Sequence, residues 1–424
     1  MKRFLSLILC LTLLAGSLAL PVGAQDAEPA AANVHAESAD DRETVTVYYN
    51  VDGDAFQEDY VVNEPVTLRE DMAMRQFGNR MIVGWKTESG KEYYYDNTDL
   101  RYPSGETDMV LHSGETCTFY PIWCPIALTQ DEVFNFVNAD SYFDIGEQGT
   151  YLTQQHTSRF TQNWIAAFAW SPFAVPAALL GTFFMTKWLE DFHGACCGFA
   201  VSSLLQHYGK IDLLSKQGVS RVSELEPDEE LISTLNYYNM QAAPCCIASH
   251  VALQPGTQAY SDQLHALYDT LAAGRPVYFE QYGDYPHVLR FILSLPFAKL
   301  RTERQDLDKF MFHGVVLTGA YTDDNGNHIL IMYDNNSWNY VSGTCNVLYI
   351  DPDFTQIHST YAANSGEILN GFTWNDTFDQ YDSFKTEGTS NPFAWHRQFL
   401  KNLPSLARQI VTLFKTAYAP KDPA

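Results

Sequence analysis

The sequence predicts a mixed α+β chain: a short β-rich stretch, then a larger region combining helices and strands. Three observations carry this. Between Thr44 and Ile126, short β-branched and aromatic runs alternate with turn residues. Beyond Leu128, apolar residues at helical spacing interleave with strand-like runs. Across 424 residues, 46% are apolar and 18% charged, the proportions of a globular chain. That length accommodates two or three domains at roughly 100–200 residues each.

Lys2 and Arg3 precede an apolar run from Phe4 to Leu20, and Val22-Gly23-Ala24 supplies small residues for a cleavage site. Residues 1–24 are therefore expected to be an export signal peptide, and the protein to be secreted or held at a cell surface. Residues 25–42, rich in Ala, Asp and Glu, read as an acidic linker. Of eight cysteines, Cys10 lies in the leader, leaving Cys117, Cys124, Cys196, Cys197, Cys245, Cys246 and Cys345. An odd number in an exported chain leaves at least one thiol unpaired unless it bonds another chain, and such a thiol is a candidate nucleophile. The formal charge of −25 argues against a nucleic-acid partner, whose phosphates call for Lys and Arg. No Cys-x-x-Cys occurs, so no zinc-finger or ribbon site is expected, and no metal or organic cofactor is called for.

Residues 43–126 form the β-rich module. Thr44 to Tyr49 alternates as a strand, Asp52-Gly53-Asp54 makes a turn, and Met81–Trp85, Glu92–Tyr95 and Thr118–Trp123 are further strands. The stretch carries no acid–base or metal constellation, so it is expected to fold by itself and to bind or hold shape. Val45-Thr46-Val47-Tyr48, Gly84-Trp85 and Tyr120-Pro121-Ile122-Trp123 resemble the opening strand, central Gly-Trp and closing strand of the Listeria–Bacteroides (internalin B-type) repeat. The resemblance implies a small β-grasp-like unit of the kind found on bacterial surface proteins.

The region 127–384 carries the chemistry. Its stretch from Thr161 to Thr186 is uncharged and long enough for a bilayer at about 20 residues, but Pro172 and Pro176 break it. Buried or partner-facing structure is expected there, with a membrane segment as the alternative. From Cys196, the spacing of Phe199, Ser203, Leu204 and Tyr208 predicts a helix ending at Gly209. Cys196 then sits at the helix start, where unpaired N–H groups and the positive dipole end favour a thiolate and can hold an oxyanion. Asp262–Ala273 predicts a second helix, closed by Gly274-Arg275-Pro276, and Val277–Glu280 a strand. His313–Gly319 and His328–Asp334 read as an antiparallel pair about the turn Asp323–Asn327. That hairpin brings His313 to the stretch Asp334, Asn335, Asn336, an imidazole beside a carboxylate or amide. A cysteine nucleophile needs such a base and orienter.

The order Cys…His…Asp/Asn resembles papain-like cysteine peptidases. Cys196-Cys197-Gly198-Phe199-Ala200 is similar to their nucleophile motif, His313-Gly314-Val315-Val316 to their His strand, and Asp334-Asn335-Asn336-Ser337-Trp338 to the end of their return strand. The resemblance implies a Cys-bearing helix packed on an antiparallel sheet, with Cys196 as nucleophile, His313 as base and Asp334, or else Asn335 or Asn336, as orienter. It implies a peptide or protein substrate and hydrolysis of peptide or amide bonds. Where papain has a Gln for its oxyanion hole, this sequence has Glu190, and an insertion containing His287 to Arg304 precedes His313. An inactive papain-like surface binding or adhesion protein, and a transglutaminase-like acyltransferase, are the competing expectations. Residues 385–424 form a basic amphipathic tail (Lys385, Arg397, Lys401, Arg408, Lys415, Lys421). It is expected to dock on the acidic body or to touch a membrane or cell surface.

Overall fold

The computed structural model describes residues 42–96, 104–138, 152–167, 175, 195–249, 255–282, 312–337, 339–359, 371–376 and 378. The expected signal peptide, nearly all of the acidic linker, most of Thr161–Thr186, Glu190, His287–Arg304 and the basic tail lie outside them. Among the described residues, no helix is long and apolar enough to cross a membrane.

The fold is mixed α+β, with two six-stranded sheets and, among the described residues, four α-helices. The first sheet comes from β1 (Thr44–Val51), β2 (Asp54–Val61), β4 (Gln76–Phe77), β5 (Arg80–Thr87), β6 (Glu92–Tyr94) and β8 (Cys117–Pro125). Its order is β2-β1-β8-β5-β4, with β6 also paired to β5. β3 (Pro65–Thr67) and β7 (Glu106–Val110) form a separate two-stranded ladder. β1 and β2 join through Asp52 and Gly53, both at positive φ, as a tight two-residue hairpin demands. The alternation in β1 turns Val45, Val47, Tyr49 and Val51 inward. They meet Trp85, whose indole N–H donates to the Tyr95 hydroxyl at 2.7 Å and whose ring lies edge-on to Tyr49.

β5 is buried on both faces, and this joins the β-rich stretch to the rest of the chain. Ile82 and Trp85 face the module's own core. Met81 and Val83, with Cys124 and Ile126 of the β8 end, face a second core shared with the helices and the second sheet. Ala127 N–H donates to the Thr318 carbonyl at 2.8 Å, Gln76 N–H to Gly343 at 2.7 Å, and Tyr94 stacks on Tyr321. The module expected to be self-contained therefore has one face sealed by the following region. A continuous apolar run in a strand signals burial on both faces, and Met81-Ile82-Val83 is such a run.

The second region begins with α1 (Gln154–Ala167), α2 (Cys196–His207), α3 (Glu229–Ser249) and α4 (Gln258–Ala272). An antiparallel sheet follows: β9 (Val277–Tyr282), β10 (Phe312–Thr322), β11 (His328–Tyr333), β12 (Asn346–Ile350), β13 (Ile357–Ser359) and β14 (Gly371–Asn375), ordered β13-β12-β11-β10-β9-β14. Strand alternation splits the apolar residues between two faces. Tyr278, Val316, Ile329, Ile331 and Tyr333 pack with α2 and α3. Val277, Phe279, Val315, Leu317, Leu330 and Met332 pack with Leu264, Leu267 and Leu271 of α4. The sheet is thus a middle layer, with the cysteine-bearing helix on one side.

Candidate active site

α2 starts at Cys196, as the spacing predicts, and Gly209 follows its end at φ +60°. Ala195 at the N-cap has no side-chain oxygen, so it gives the first turn no cap of its own. A clasp from outside the helix holds this end instead. Asn138, in the segment after β8, accepts the Ala195 N–H at 2.7 Å on Oδ1. Its amide Nδ2 donates to Asn336 Oδ1 at 2.9 Å, and its backbone N–H donates to the Asn335 carbonyl at 2.7 Å. One asparagine thereby ties the start of α2 to the turn after β11.

The β10–β11 hairpin pairs Val316 with Tyr333, which sets His313 near Asp334. His313 Nε2 and Asp334 Oδ1 are 2.8 Å apart, and both side chains are almost fully buried. A carboxylate can only accept, so Nε2 carries the hydrogen, and Nδ1 is the nitrogen left for another partner. Asp334 is itself held: Oδ1 accepts the Asn336 N–H at 2.9 Å and Oδ2 accepts Asn346 Nδ2 at 3.1 Å. The three residues that the sequence offered as orienter have separate places. Asp334 meets the imidazole. Asn335 Nδ2 donates to the carbonyls of Cys196 (3.0 Å) and Gly314 (2.8 Å), and Asn336 receives Asn138.

Gly314 lets the helix reach the strand. A Cβ there would lie 3.0 Å from Cys197 Sγ and 3.1 Å from Cys197 Cα, so a side chain would push α2 away from β10. Gly198 does the same on the other side, where a Cβ would lie 2.0 Å from the Leu235 carbonyl of α3. Both glycines stand in the sequence motifs already singled out, but their role as spacers is visible only once the elements are packed.

Cys196 is half-buried, and its thiol is held well below the ordinary range. Hydrogen bonding from Cys197, at an Sγ–Sγ distance of 4.0 Å, is the largest cause. Burial opposes it. The His313 imidazole then lowers the value by hydrogen bonding and by charge, and the Gly314 N–H adds to this. Cysteine, imidazole and carboxylate are therefore one connected array: a thiolate-favouring sulfur, a base beside it and an acceptor fixing the base's tautomer. Among the described residues, no three His, Cys, Asp or Glu side chains converge to hold a metal.

Sequence reasoning did not find Asn138, Asn346 or Glu280. Glu280 is fully buried on β9, opposite Gly314, with Oε1 3.7 Å from Cys197 Sγ. The alternation of β9 puts it on the α2 face and could have flagged a buried carboxylate. A lone Asn in a loop carries no such signal. No protein-family model, no curated protein and no solved structure matches the chain.

Proposed function

We propose that the chain is a papain-like cysteine hydrolase of peptide or amide bonds, with Cys196 as nucleophile, His313 as general base and Asp334 as the residue that orients the imidazole. The observation that carries this reading is the His313 ring, hydrogen-bonded to a buried carboxylate and interacting with a thiol of lowered pKa. In the reaction, His313 takes the Cys196 proton and the thiolate adds to the substrate carbonyl. The protonated imidazole gives its proton to the leaving amine, and water then cleaves the thioester. The N–H groups of the first turn of α2 have no acceptors within the helix and suit the oxyanion.

The first sheet, with β1 and β8 parallel neighbours and Gly84-Trp85 at its centre, supports a β-grasp-like module of the Listeria–Bacteroides type. Its shared core suggests that it steadies the catalytic region as well as displaying it. Export, either as a secreted protein or to the cell surface, belongs to the same reading and rests on the apolar leader. Turnover of a fluorogenic peptide mixture by the full chain, compared with Cys196→Ala, tests the proposal. Hydrolysis that disappears in the variant is expected; equal signals from both proteins would overturn it. Product formation only with an added amine acceptor would instead favour the acyltransferase.

A further inference from the structure

Two sulfurs, not one, occupy the start of α2, and the second is wedged between the nucleophile and a buried acid. Cys197 Sγ lies 4.0 Å from Cys196 Sγ and 3.7 Å from Glu280 Oε1. Cys197 and Glu280 are almost completely inaccessible, at 1% and 0% exposure. The contact is built by the fold. Glu280 pairs across the strands with Gly314, and the missing side chain at Gly314 is what admits Cys197 to this spot. A thiol has one hydrogen, so Cys197 can donate to Cys196 or to Glu280 but not to both at once.

We infer that Glu280 is a positioning residue for Cys196 and acts through Cys197: as a carboxylate it draws the Cys197 hydrogen away from the nucleophile, and as a carboxylic acid it releases that hydrogen to the Cys196 thiolate. This rests on the reading of Cys196 as nucleophile. No atom is exchanged in the step; the hydrogen turns about the Cys197 C–S bond, and the proton that switches Glu280 comes from solvent. Among the described residues, the groups facing the two sulfurs and Glu280 include His313 and Gly314 of β10, Tyr278 of β9, Thr373 of β14, which pairs with Glu280 across the strands, and Asp334 behind His313. Where α3 closes on Gly198 it brings Leu235 and Asn239, neither of which titrates. The arrangement keeps the thiolate populated as the medium becomes acidic, because protonating Glu280 turns the Cys197 donor toward it.

The test follows the rate of Cys196 alkylation by iodoacetamide against pH in the full chain, with the adduct mapped by mass spectrometry. Glu280→Gln replaces the acid by a neutral group of the same shape. The rate near pH 5.5 should rise by about threefold to tenfold, with the high-pH plateau unchanged. In a Cys197→Ala background the same substitution should change nothing, since the intermediary is gone. Superimposable wild-type and Glu280→Gln profiles would overturn the inference, as would a shift that survives in Cys197→Ala. Should Glu280→Gln fail to fold, Cys197→Ala alone decides: its low-pH rate should fall severalfold, and an unchanged rate overturns the relay. The shift without any peptide hydrolysis would leave the relay standing and remove the hydrolase; hydrolysis with an unshifted profile would do the reverse.

Discussion

Cys196 and Cys345 are both half-buried free thiols in one chain, and their environments drive them in opposite directions. Cys345 lies at the joint between the two sheets, with its thiol 3.4 Å from Met81 Sδ. Burial raises its pKa far above the ordinary value. Cys124, on the other side of the same joint, is pushed up to about 12, again by burial. Cys196 is also desolvated, but Cys197, His313 and Gly314 all favour its ionised form and win. Burial alone therefore makes a cysteine inert. Reactivity requires donors aimed at the sulfur, and here they come from a helix start and a strand start meeting end to end.

The largest effect expected from this contrast is in labelling. At neutral pH, iodoacetamide should modify Cys196 more than about a hundredfold faster than Cys124 or Cys345, because only the thiolate reacts. Equal labelling, read by peptide mapping, would erase the distinction between the two environments. Next in size is the loss of the base. His313→Ala should abolish hydrolysis and slow Cys196 alkylation about tenfold or more at pH 6 to 7. Asp334→Asn should lower hydrolysis less, since an amide oxygen can still accept from Nε2, and the pH profile of kcat/KM should move with it.

A smaller effect separates packing from chemistry at the joint. Cys345→Ala should cost about 1 kcal/mol of stability in chemical denaturation and leave peptide hydrolysis unchanged. The smallest follows from the same desolvation rule applied to a base. His156 is buried beside Ser233 Oγ at 2.6 Å, and burial lowers its pKa to about 4. The unfolded chain then binds a proton near pH 6.5 that the folded chain refuses until about pH 4, so stability falls as pH drops through that window. His156→Gln should flatten this part of the stability profile, measured by urea midpoints at successive pH values.

Much of the framework is determined by the sequence itself. Strand alternation in Thr44–Val51, the Asp52-Gly53 turn, the helix from Cys196 to His207 and the β10–β11 hairpin are all local patterns, and local patterns survive in a linear reading. The juxtaposition of His313 and Asp334 was legible for the same reason: a hairpin is a short-range fold, and its turn residues announce its register. Tertiary structure alone decided the rest. Asn138 clasps the start of α2 across a long sequence separation, Met81 and Val83 seal a core with a region that begins after residue 126, and Glu280 finds Cys197 only because Gly314 leaves room between a strand and a helix. The physical reason is that periodicity reports which face of an element is buried, whereas the identity of the group it is buried against depends on how separate elements close on one another.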